Sequence, residues 1–249
     1  MNEDLHRYDE FGYCLFRSII SPENLVRLEQ DVLDVIQDFK KNPVYPKIKS
    51  TEYRDYAPAL HLKKQSVADL LKSKIFVDIG KSILGESFDL RFTTTMTKTA
   101  ERAESFDWHQ DSAYSKDPEH KNYTCWIAVT DSKRENGCLR IVPGSHSRGL
   151  VKHIPSKLHP PDQEIEMIDE KMSIDVEMNS GDMIVMDPYL FHSSWPNFSG
   201  KLRIGLLAGF MKPKEDYLPF ELEASLQYLR MSQPKWKKVE NNSGSDSSR

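Results

Sequence analysis

A histidine and an aspartate two positions apart, with a second histidine far along the chain, are the residues best suited to chemistry. His109 and Asp111 lie in the run 106–111, and His192 follows His109 by 83 positions. Two imidazoles and one carboxylate form the facial triad that holds non-haem Fe(II) and leaves three coordination positions open. Alternate residues of a strand point the same way, so we expect a strand to direct both His109 and Asp111 at one ion.

An arginine at a fixed distance after the second histidine adds a place for a carboxylate. Arg203 follows His192 by eleven positions, and the turn 197–200 separates them. This spacing predicts that His192 and Arg203 lie on adjacent late strands. A bidentate 2-oxoacid could fill two open positions on the iron and O2 the third, while the guanidinium fork pairs with the far carboxylate.

Each of these residues alone has an ordinary alternative explanation. A His-x-Asp pair occurs by chance in many chains of this length, His192 could be a satisfied core histidine, and Arg203 could form a surface ion pair. The combination is much more specific, because all four residues occur in the order that a jelly roll requires.

The surrounding pattern predicts two helical regions followed by many short strands. Residues 11–16 favour a strand, Ser21 and Pro22 favour the start of a helix, and residues 66–84 carry apolar side chains at helical spacing. Strand-like runs separated by turn residues then occupy positions 88–97, 123–130, 138–143, 174–178, 183–186 and 204–211. We therefore expect a mainly β fold, a double-sheet jelly roll with supporting helices on one outer face.

Two further motifs carry a family resemblance. The runs 136–139 (Asn-Gly-Cys-Leu) and 143–146 (Pro-Gly-Ser-His) accompany the triad and the arginine. With them the chain resembles the phytanoyl-CoA dioxygenase family of Fe(II)/2-oxoglutarate-dependent oxygenases over residues 11–210. The resemblance implies a cupin-like double-stranded β-helix as the core.

The resemblance also implies roles for individual residues. His109, Asp111 and His192 would be the catalytic metal ligands, and Arg203 would bind the distal carboxylate of 2-oxoglutarate. Ser194 matches a family position that donates a hydrogen bond to the same carboxylate.

Other co-substrate contacts are placed less specifically. Trp126 matches a tryptophan beside the co-substrate, although a core aromatic would satisfy the pattern equally. Thr94 or Thr95 would line the same pocket. A family lysine that contacts 2-oxoglutarate from an early strand has no clear match, and Lys63 is one candidate.

The remaining histidines and arginines have simpler interpretations. His146 belongs to the family motif, where a structural role at the turn is favoured over iron binding. Arg140, like Arg91 and Arg102, could meet an anionic substrate, but salt-bridged or solvated arginines are commoner. The other histidines lack a ligand-like spacing and are expected in loops or on the surface: His6, His61, His120, His153 and His159.

Composition narrows the class of protein. The chain has 249 residues, 38% of them hydrophobic, and a net charge of -4, which suits one domain over 1–240 and a disordered tail over 241–249. The chain has no excess of basic residues that would favour binding to nucleic acid. It also has no apolar run long enough to span a membrane. Three cysteines without paired spacing suggest reduced thiols and a cytoplasmic location. Nothing in the sequence indicates an oligomeric state.

The functional hypothesis is a 2-oxoglutarate-dependent oxygenase that hydroxylates a C–H bond of a small metabolite and releases succinate and CO2. The intact Asp111 favours hydroxylation over halogenation, because the related halogenases replace this carboxylate with a small residue; desaturation and cyclisation stay open. Two alternatives stay open: a cupin-like metalloenzyme that does not use 2-oxoglutarate, and a catalytically silent binding protein on the same fold. Substrate specificity is expected to come from the loops 43–62, 99–106, 114–122 and 149–171.

Overall fold

The computed structural model describes residues 2–41, 58–99, 105–115, 117–156 and 163–213. The α-helices are α1 (Asn2–Phe11), α2 (Pro22–Lys41), α3 (Leu60–Lys63), α4 (Gln65–Leu71) and α5 (Lys74–Leu84). The strands are β1 (Tyr13–Phe16), β2 (Asp89–Lys98), β3 (Phe106–His109), β4 (Asn122–Ala128), β5 (Leu139–Ile141), β6 (His153–Pro155), β7 (Gln163–Ile165), β8 (Ile174–Val176), β9 (Met183–Met186), β10 (His192–Ser194) and β11 (Arg203–Met211).

The strands form two stacked antiparallel sheets and a separate hairpin. The larger sheet has the order β1-β9-β4-β11-β2, the smaller has the order β3-β10-β5-β8, and β6 pairs with β7. Neighbours in the sheets are mostly not consecutive in the chain, as expected for a jelly roll. Side chains of both sheets, such as Trp126, Ile141 and Ile184, meet in one buried cluster between them. The expected mainly β, cupin-like jelly-roll core is thus confirmed.

The helices cover the outer face of the larger sheet. Leu28 and Val32 of α2 and Phe76 of α5 share a buried cluster with Cys125 and Leu206 of the sheet. Because side chains alternate along a strand, Cys125 faces the helices while its neighbour Trp126 faces the jelly-roll interior. Both faces of the central strands are therefore buried, which explains their nearly continuous apolar sequence.

Several boundaries differ from the sequence-based expectation. The helical region expected at 66–84 is two helices, α4 and α5, separated at Lys72 and Ser73. The short elements α1, β3, β6, β7 and β10 were not predicted individually. Most of the loop expected at 43–62, and the tail expected at 241–249, lie outside the described residues.

The three cysteines are free and buried. Burial raises the pKa of Cys125, and burial together with Asp175 raises the pKa of Cys138 to about 12. The Cys125 and Cys138 thiols therefore favour the protonated form. Within the described part of the chain, no helix combines the length and apolar character needed to cross a membrane.

Candidate metal centre

Two paired strands of the smaller sheet bring the histidines together. His192 on β10 is the Cα partner of His109, the last residue of β3. The centroids of the two imidazole rings lie 4.0 Å apart. Both histidines are buried, at 7% and 5% exposure for His109 and His192.

The aspartate reaches the histidines from a turn and not from the strand. We expected His109 and Asp111 on one strand, but β3 ends at His109, and Asp111 begins a 3-10 helix (Asp111–Tyr114). This turn brings Oδ1 of Asp111 to 3.4 Å from Nε2 of His192 and 3.9 Å from Nε2 of His109. All three candidate ligand atoms nevertheless lie within 4.8 Å of one another, so the cluster could still hold one metal ion.

Hydrogen bonds turn the ligand atoms toward a common point. Nδ1 of His109 donates to the Asp107 carbonyl at 2.8 Å, and Nδ1 of His192 donates to the Leu190 carbonyl at 2.9 Å. Each ring therefore keeps an unprotonated Nε2 available when neutral. Oδ2 of Asp111 accepts the Thr124 hydroxyl at 2.8 Å, which leaves Oδ1 facing the rings. Two imidazole nitrogens and one carboxylate oxygen in this arrangement fit Fe(II).

The charges in the cluster are strongly coupled. Burial and the neighbouring His192 lower the pKa of His109 to about 3, so this ring is neutral. Burial also opposes charge on His192, but Asp111 outweighs it and raises the pKa of His192. Burial acts to raise the pKa of Asp111, yet the charge and hydrogen bond of His192 hold that pKa below its ordinary value. Without a metal, the carboxylate and His192 thus favour an ion pair.

The residue between the ligands is a structural junction that sequence analysis missed. Gln110 is fully buried, and its Nε2 donates to the carbonyls of Gly149 and Tyr189 at 2.8 and 2.7 Å. Its Oε1 accepts the Val151 amide at 2.9 Å. Both N–H groups and the oxygen of the side-chain amide are engaged, so Gln110 ties its own segment to residues 149–151 and to Tyr189 beside the candidate ligands.

Arg203 lies in the jelly-roll interior, but not on a strand next to His192. β10 belongs to the smaller sheet and β11 to the larger one, so the expected adjacency is wrong. The turn after β10 carries the chain from one sheet to the other. Arg203 is 2% exposed, and its Nη1 donates to the carbonyl of Gly137, in the turn before β5, at 2.7 Å. Its Nη2 donates to the Met96 carbonyl at 3.1 Å.

The other expected co-substrate residues are buried in the same interior. Trp126 lies beneath the guanidinium, with 5.1 Å between Cζ of Arg203 and the ring centroid. Thr94 and Trp126 are both Cα partners of Leu207 and flank it on opposite sides of β11. Ser194 follows His192 by two residues on β10 and is 6% exposed.

A second buried cation lies beside Arg203. Lys98 is the Cα partner of Arg203 on β2, is 4% exposed, and donates from Nζ to the Trp195 carbonyl. Lys63, the candidate from the sequence, is exposed at the end of α3. The alternation Thr94, Met96, Lys98 along one strand was the sequence feature that could have identified Lys98.

The remaining candidates divide between structural roles and undescribed segments. His146 contacts the Asp9 carbonyl from a 3-10 helix, and Arg140 forms an ion pair with Glu170, as expected. His153 was expected in a loop or on the surface, but it is half-buried on β6 and its Nε2 accepts the Gln110 amide. Arg102, His159 and parts of the specificity loops (43–57, 100–104, 116 and 157–162) lie outside the described residues.

The family model for phytanoyl-CoA dioxygenase matches residues 8–205. The phytanoyl-CoA dioxygenase of Arabidopsis thaliana is 34% identical over 97 residues, which cover 38% of this chain and 34% of that protein. The ectoine dioxygenase of Nocardia farcinica is 26% identical over 152 residues, which cover 58% of this chain and 51% of that protein. The matched stretches thus span about a third to a half of these relatives' length.

Solved structures share the fold. The carbocyclase SnoK from nogalamycin biosynthesis superposes with a TM-score of 0.71 at 20% identity, covering 91% of this chain and 90% of that one. EctD from S. alaskensis, solved with 2-oxoglutarate and 5-hydroxyectoine, gives 0.69 at 17% identity, covering 85% and 76%.

The fold and the site define a cupin-like jelly roll with a His-Asp-His cluster in its interior. Within that class, the family match covers most of the chain. The chain belongs to the phytanoyl-CoA dioxygenase family, and the resemblance drawn from its motifs is confirmed.

Proposed function

We propose that this protein is an Fe(II)/2-oxoglutarate-dependent oxygenase that hydroxylates a C–H bond of a small molecule. The observation that carries the proposal is the pairing of two features in one interior: the convergence of His109, Asp111 and His192, and the buried cations Arg203 and Lys98. With iron bound, this class of site couples the oxidative decarboxylation of 2-oxoglutarate to oxidation of the substrate by O2.

The three ligands account for the metal. In the proposed site His109 and His192 bind through Nε2, and Asp111 binds through Oδ1. Their other polar atoms are engaged by the Asp107 and Leu190 carbonyls and by Thr124. Such outer partners orient the ligands and hold each ring in the tautomer that can bind.

The buried cations Arg203 and Lys98 would bind the far carboxylate of a dicarboxylate co-substrate. Arg203 and Lys98 are adjacent, so the distal carboxylate of 2-oxoglutarate would meet two positive charges, and the guanidinium supplies a bidentate fork. We assign Ser194 a hydrogen bond to the same carboxylate, and Trp126 and Thr94 the walls of the pocket.

The substrate is proposed as a small molecule. Relatives named for small substrates include ectoine dioxygenase and a probable α-ketoglutarate-dependent hypophosphite dioxygenase of Stutzerimonas stutzeri. The intact Asp111 occupies the position that a halide would need, which favours hydroxylation. We also propose one domain over residues 1–240 and, from the three reduced cysteines, a cytoplasmic location.

Two alternatives make different predictions. A cupin-like metalloenzyme without 2-oxoglutarate would use the triad but not Arg203 and Lys98. A silent binding protein on this fold would bind ligand without turnover. The two buried cations in the same interior favour the oxygenase over the cupin-like enzyme, which does not need them. The intact set of three candidate ligands argues against a silent binding protein.

The test measures bound iron, then O2 consumption and succinate formation with and without 2-oxoglutarate against a metabolite library. Succinate should form only with both iron and 2-oxoglutarate. His109→Ala and His192→Ala should each lose iron and turnover, whereas Arg203→Ala should keep iron but raise the KM for 2-oxoglutarate by tenfold or more, an order-of-magnitude expectation.

Lys63→Ala is the matched control, because it removes an exposed cation from the same chain. O2 consumption independent of 2-oxoglutarate would select the cupin-like alternative. Iron binding with no turnover on any substrate, and no slow 2-oxoglutarate consumption, would select the silent binding protein.

A further inference from the structure

The hairpin β6–β7 packs against the segment that carries two of the three metal ligands. Ile165 of β7 shares a buried cluster with Trp108 and Phe191, the residues that precede His109 and His192. This hairpin is a separate two-stranded sheet and belongs to neither face of the jelly roll. Contacts outside the two main sheets therefore hold the hairpin in place.

Polar contacts join the hairpin region to the ligand segment at three points. The Ser156 hydroxyl, just after β6, donates to the Asp107 carboxylate. Nε2 of His153 on β6 accepts a hydrogen bond from the main-chain N–H of Gln110 at 3.2 Å. The Tyr114 hydroxyl donates to the Gln163 carbonyl at 3.3 Å and accepts the Gln163 amide at 3.2 Å.

The hairpin contacts residues that neighbour the candidate ligands in the chain, and these contacts do not involve the ligand atoms themselves. Asp107 and Gln110 flank His109, and Gln110 and Tyr114 flank Asp111 along the chain. Two of the residues that contact the hairpin, Asp107 and Tyr114, also contact His109. The Asp107 carbonyl accepts Nδ1 of His109, and the Tyr114 ring meets the His109 ring edge-on at a centroid distance of 5.8 Å.

We propose that the β6–β7 hairpin braces the metal centre, and that Ser156 and Tyr114 are positioning residues that couple it to His109 and Asp111. The coupling rests on the proposed metal site. Because coupling between two sites is reciprocal, metal binding should protect the hairpin from opening, and a closed hairpin should tighten metal binding.

Tyr114 is the contact that best separates coupling from folding. Its side chain is 46% exposed, and replacement by phenylalanine keeps the ring against His109 while removing the hydroxyl that meets Gln163. Ser156→Ala likewise removes only a hydroxyl. Neither change leaves a cavity in the jelly-roll core, so both variants are expected to fold.

The experiment compares wild type, Tyr114→Phe, Ser156→Ala and the double variant. Mn(II), which is stable in air, serves for affinity and Co(II) for visible spectra. Outer partners of metal ligands typically change metal affinity by about 10–100-fold. We expect a loss of about threefold to tenfold in each single variant, a larger loss in the double variant, and altered Co(II) bands that report changed ligand geometry.

Matched controls remove comparable hydroxyls away from the hairpin. Ser147→Ala loses a hydrogen bond to the Gly144 carbonyl, and Ser82→Ala loses one to the Asp78 carbonyl within α5. Both controls should bind Mn(II) like wild type.

Hydrogen exchange supplies the reciprocal measurement. Mn(II) should slow amide exchange at residues 153–156 and 163–166 in wild type and do so less in the double variant. Wild-type Mn(II) affinity, Co(II) spectra and exchange in the double variant would refute the brace while leaving the metal site intact. A wild-type protein that binds neither metal would refute the metal site and the coupling together.

Discussion

At the scale of single residues, His192 and Asp111 determine how the centre responds to protons. Asp111 raises the pKa of His192, whereas burial and His192 lower the pKa of His109 to about 3. Around neutral pH the proton that competes with a metal therefore lies on His192. A raised pKa means that this proton is held more tightly than in a free histidine.

Metal affinity should consequently depend on pH with a defined sign. Below the raised pKa of His192, a metal must displace its proton, and affinity should fall about tenfold per pH unit. Above that pKa the affinity should level off. Calorimetry with Mn(II) in buffers of different ionisation enthalpy should detect close to one released proton on the acidic side. Affinity that stays constant from about pH 6 to pH 8 would contradict the assignment of His192 as a ligand with this pKa shift.

Thr124 is the residue whose effect on Asp111 is most directly testable. Its hydroxyl donates to Oδ2 of Asp111 at 2.8 Å and so orients Oδ1 toward the histidines. Thr124→Val should lower metal affinity by about 10–100-fold, the usual effect of losing such a partner. Thr124→Ser keeps the hydroxyl and should retain most of the affinity. Equal Mn(II) affinities for the two variants would show that the hydrogen bond does not position the ligand.

At the scale of elements, sequence reasoning succeeded where the local residue types are distinctive. Strands β2, β4 and β11 lie in the expected strand-like runs between turn residues, and helix α2 begins at the expected position, Pro22 after Ser21. His109, Asp111 and His192, selected by their residue types and order, lie together as a group that could hold a metal ion. Their roles as ligands stay a prediction.

The failures lie where neighbours in space decide the conformation. β10 has three residues, His-Ser-Ser, with no apolar periodicity, and its pairing with β3 and β5 makes it a strand. Asp111 turns into a 3-10 helix, where Ala113 bonds to the Gln110 carbonyl and the Gln110 side chain holds three segments. Arg203 and His192 lie in different sheets because the chain crosses from one sheet to the other between them, which spacing alone does not encode.

Strand β11 also shows how packing shapes the co-substrate pocket. A Cβ added at Gly205 would lie 2.3 Å from Cζ2 of Trp126, closer than real contacts allow, so the indole would have to move. Gly205→Ala should therefore destabilise the protein by about 1–3 kcal/mol. Because Trp126 lies against Arg203, the KM for 2-oxoglutarate should also rise several-fold, an order-of-magnitude expectation from disturbing a tightly packed binding site.

Gly80→Ala provides the comparison within the same molecule. A Cβ at Gly80 would lie 2.4 Å from Cζ of Phe88, an equally close contact, but in the helix layer. Urea unfolding should show a loss of stability in both variants, with an unchanged KM for 2-oxoglutarate only in Gly80→Ala. A raised KM in both would attribute the effect to general loosening of the fold.

At the scale of the whole molecule, the two sides of the larger sheet have different roles: the side toward the helices is apolar, and the side toward the smaller sheet carries the polar groups of the candidate site. The helix layer and the outer face of the larger sheet form an almost entirely apolar cluster. The inner face of the same sheet carries Thr124, Lys98 and Arg203, which face the smaller sheet with its two histidines. The apolar cluster stabilises β4 and β11 from outside, so their inner face can hold polar groups that contribute less to stability.

This division predicts that ligands stabilise the protein markedly. A ligand that binds only the folded state adds RT ln(1 + [L]/Kd), about 2.7 kcal/mol at one hundred times Kd. For a domain of this size that corresponds to a rise in Tm of roughly 5–10 °C. Saturating Mn(II) should give such a rise, and 2-oxoglutarate should add to it only when Mn(II) is present, because the co-substrate binds partly through the metal.

Two variants separate these contributions in the same thermal scan. His192→Ala should lose the response to Mn(II) and to 2-oxoglutarate, since it removes a ligand from the metal. Arg203→Ala should keep the response to Mn(II) and lose most of the response to 2-oxoglutarate, since the metal contacts remain and the carboxylate partner is gone. Stabilisation by 2-oxoglutarate that persists in Arg203→Ala would place the distal carboxylate elsewhere. A Mn(II) response that persists in His192→Ala would place the metal outside this cluster.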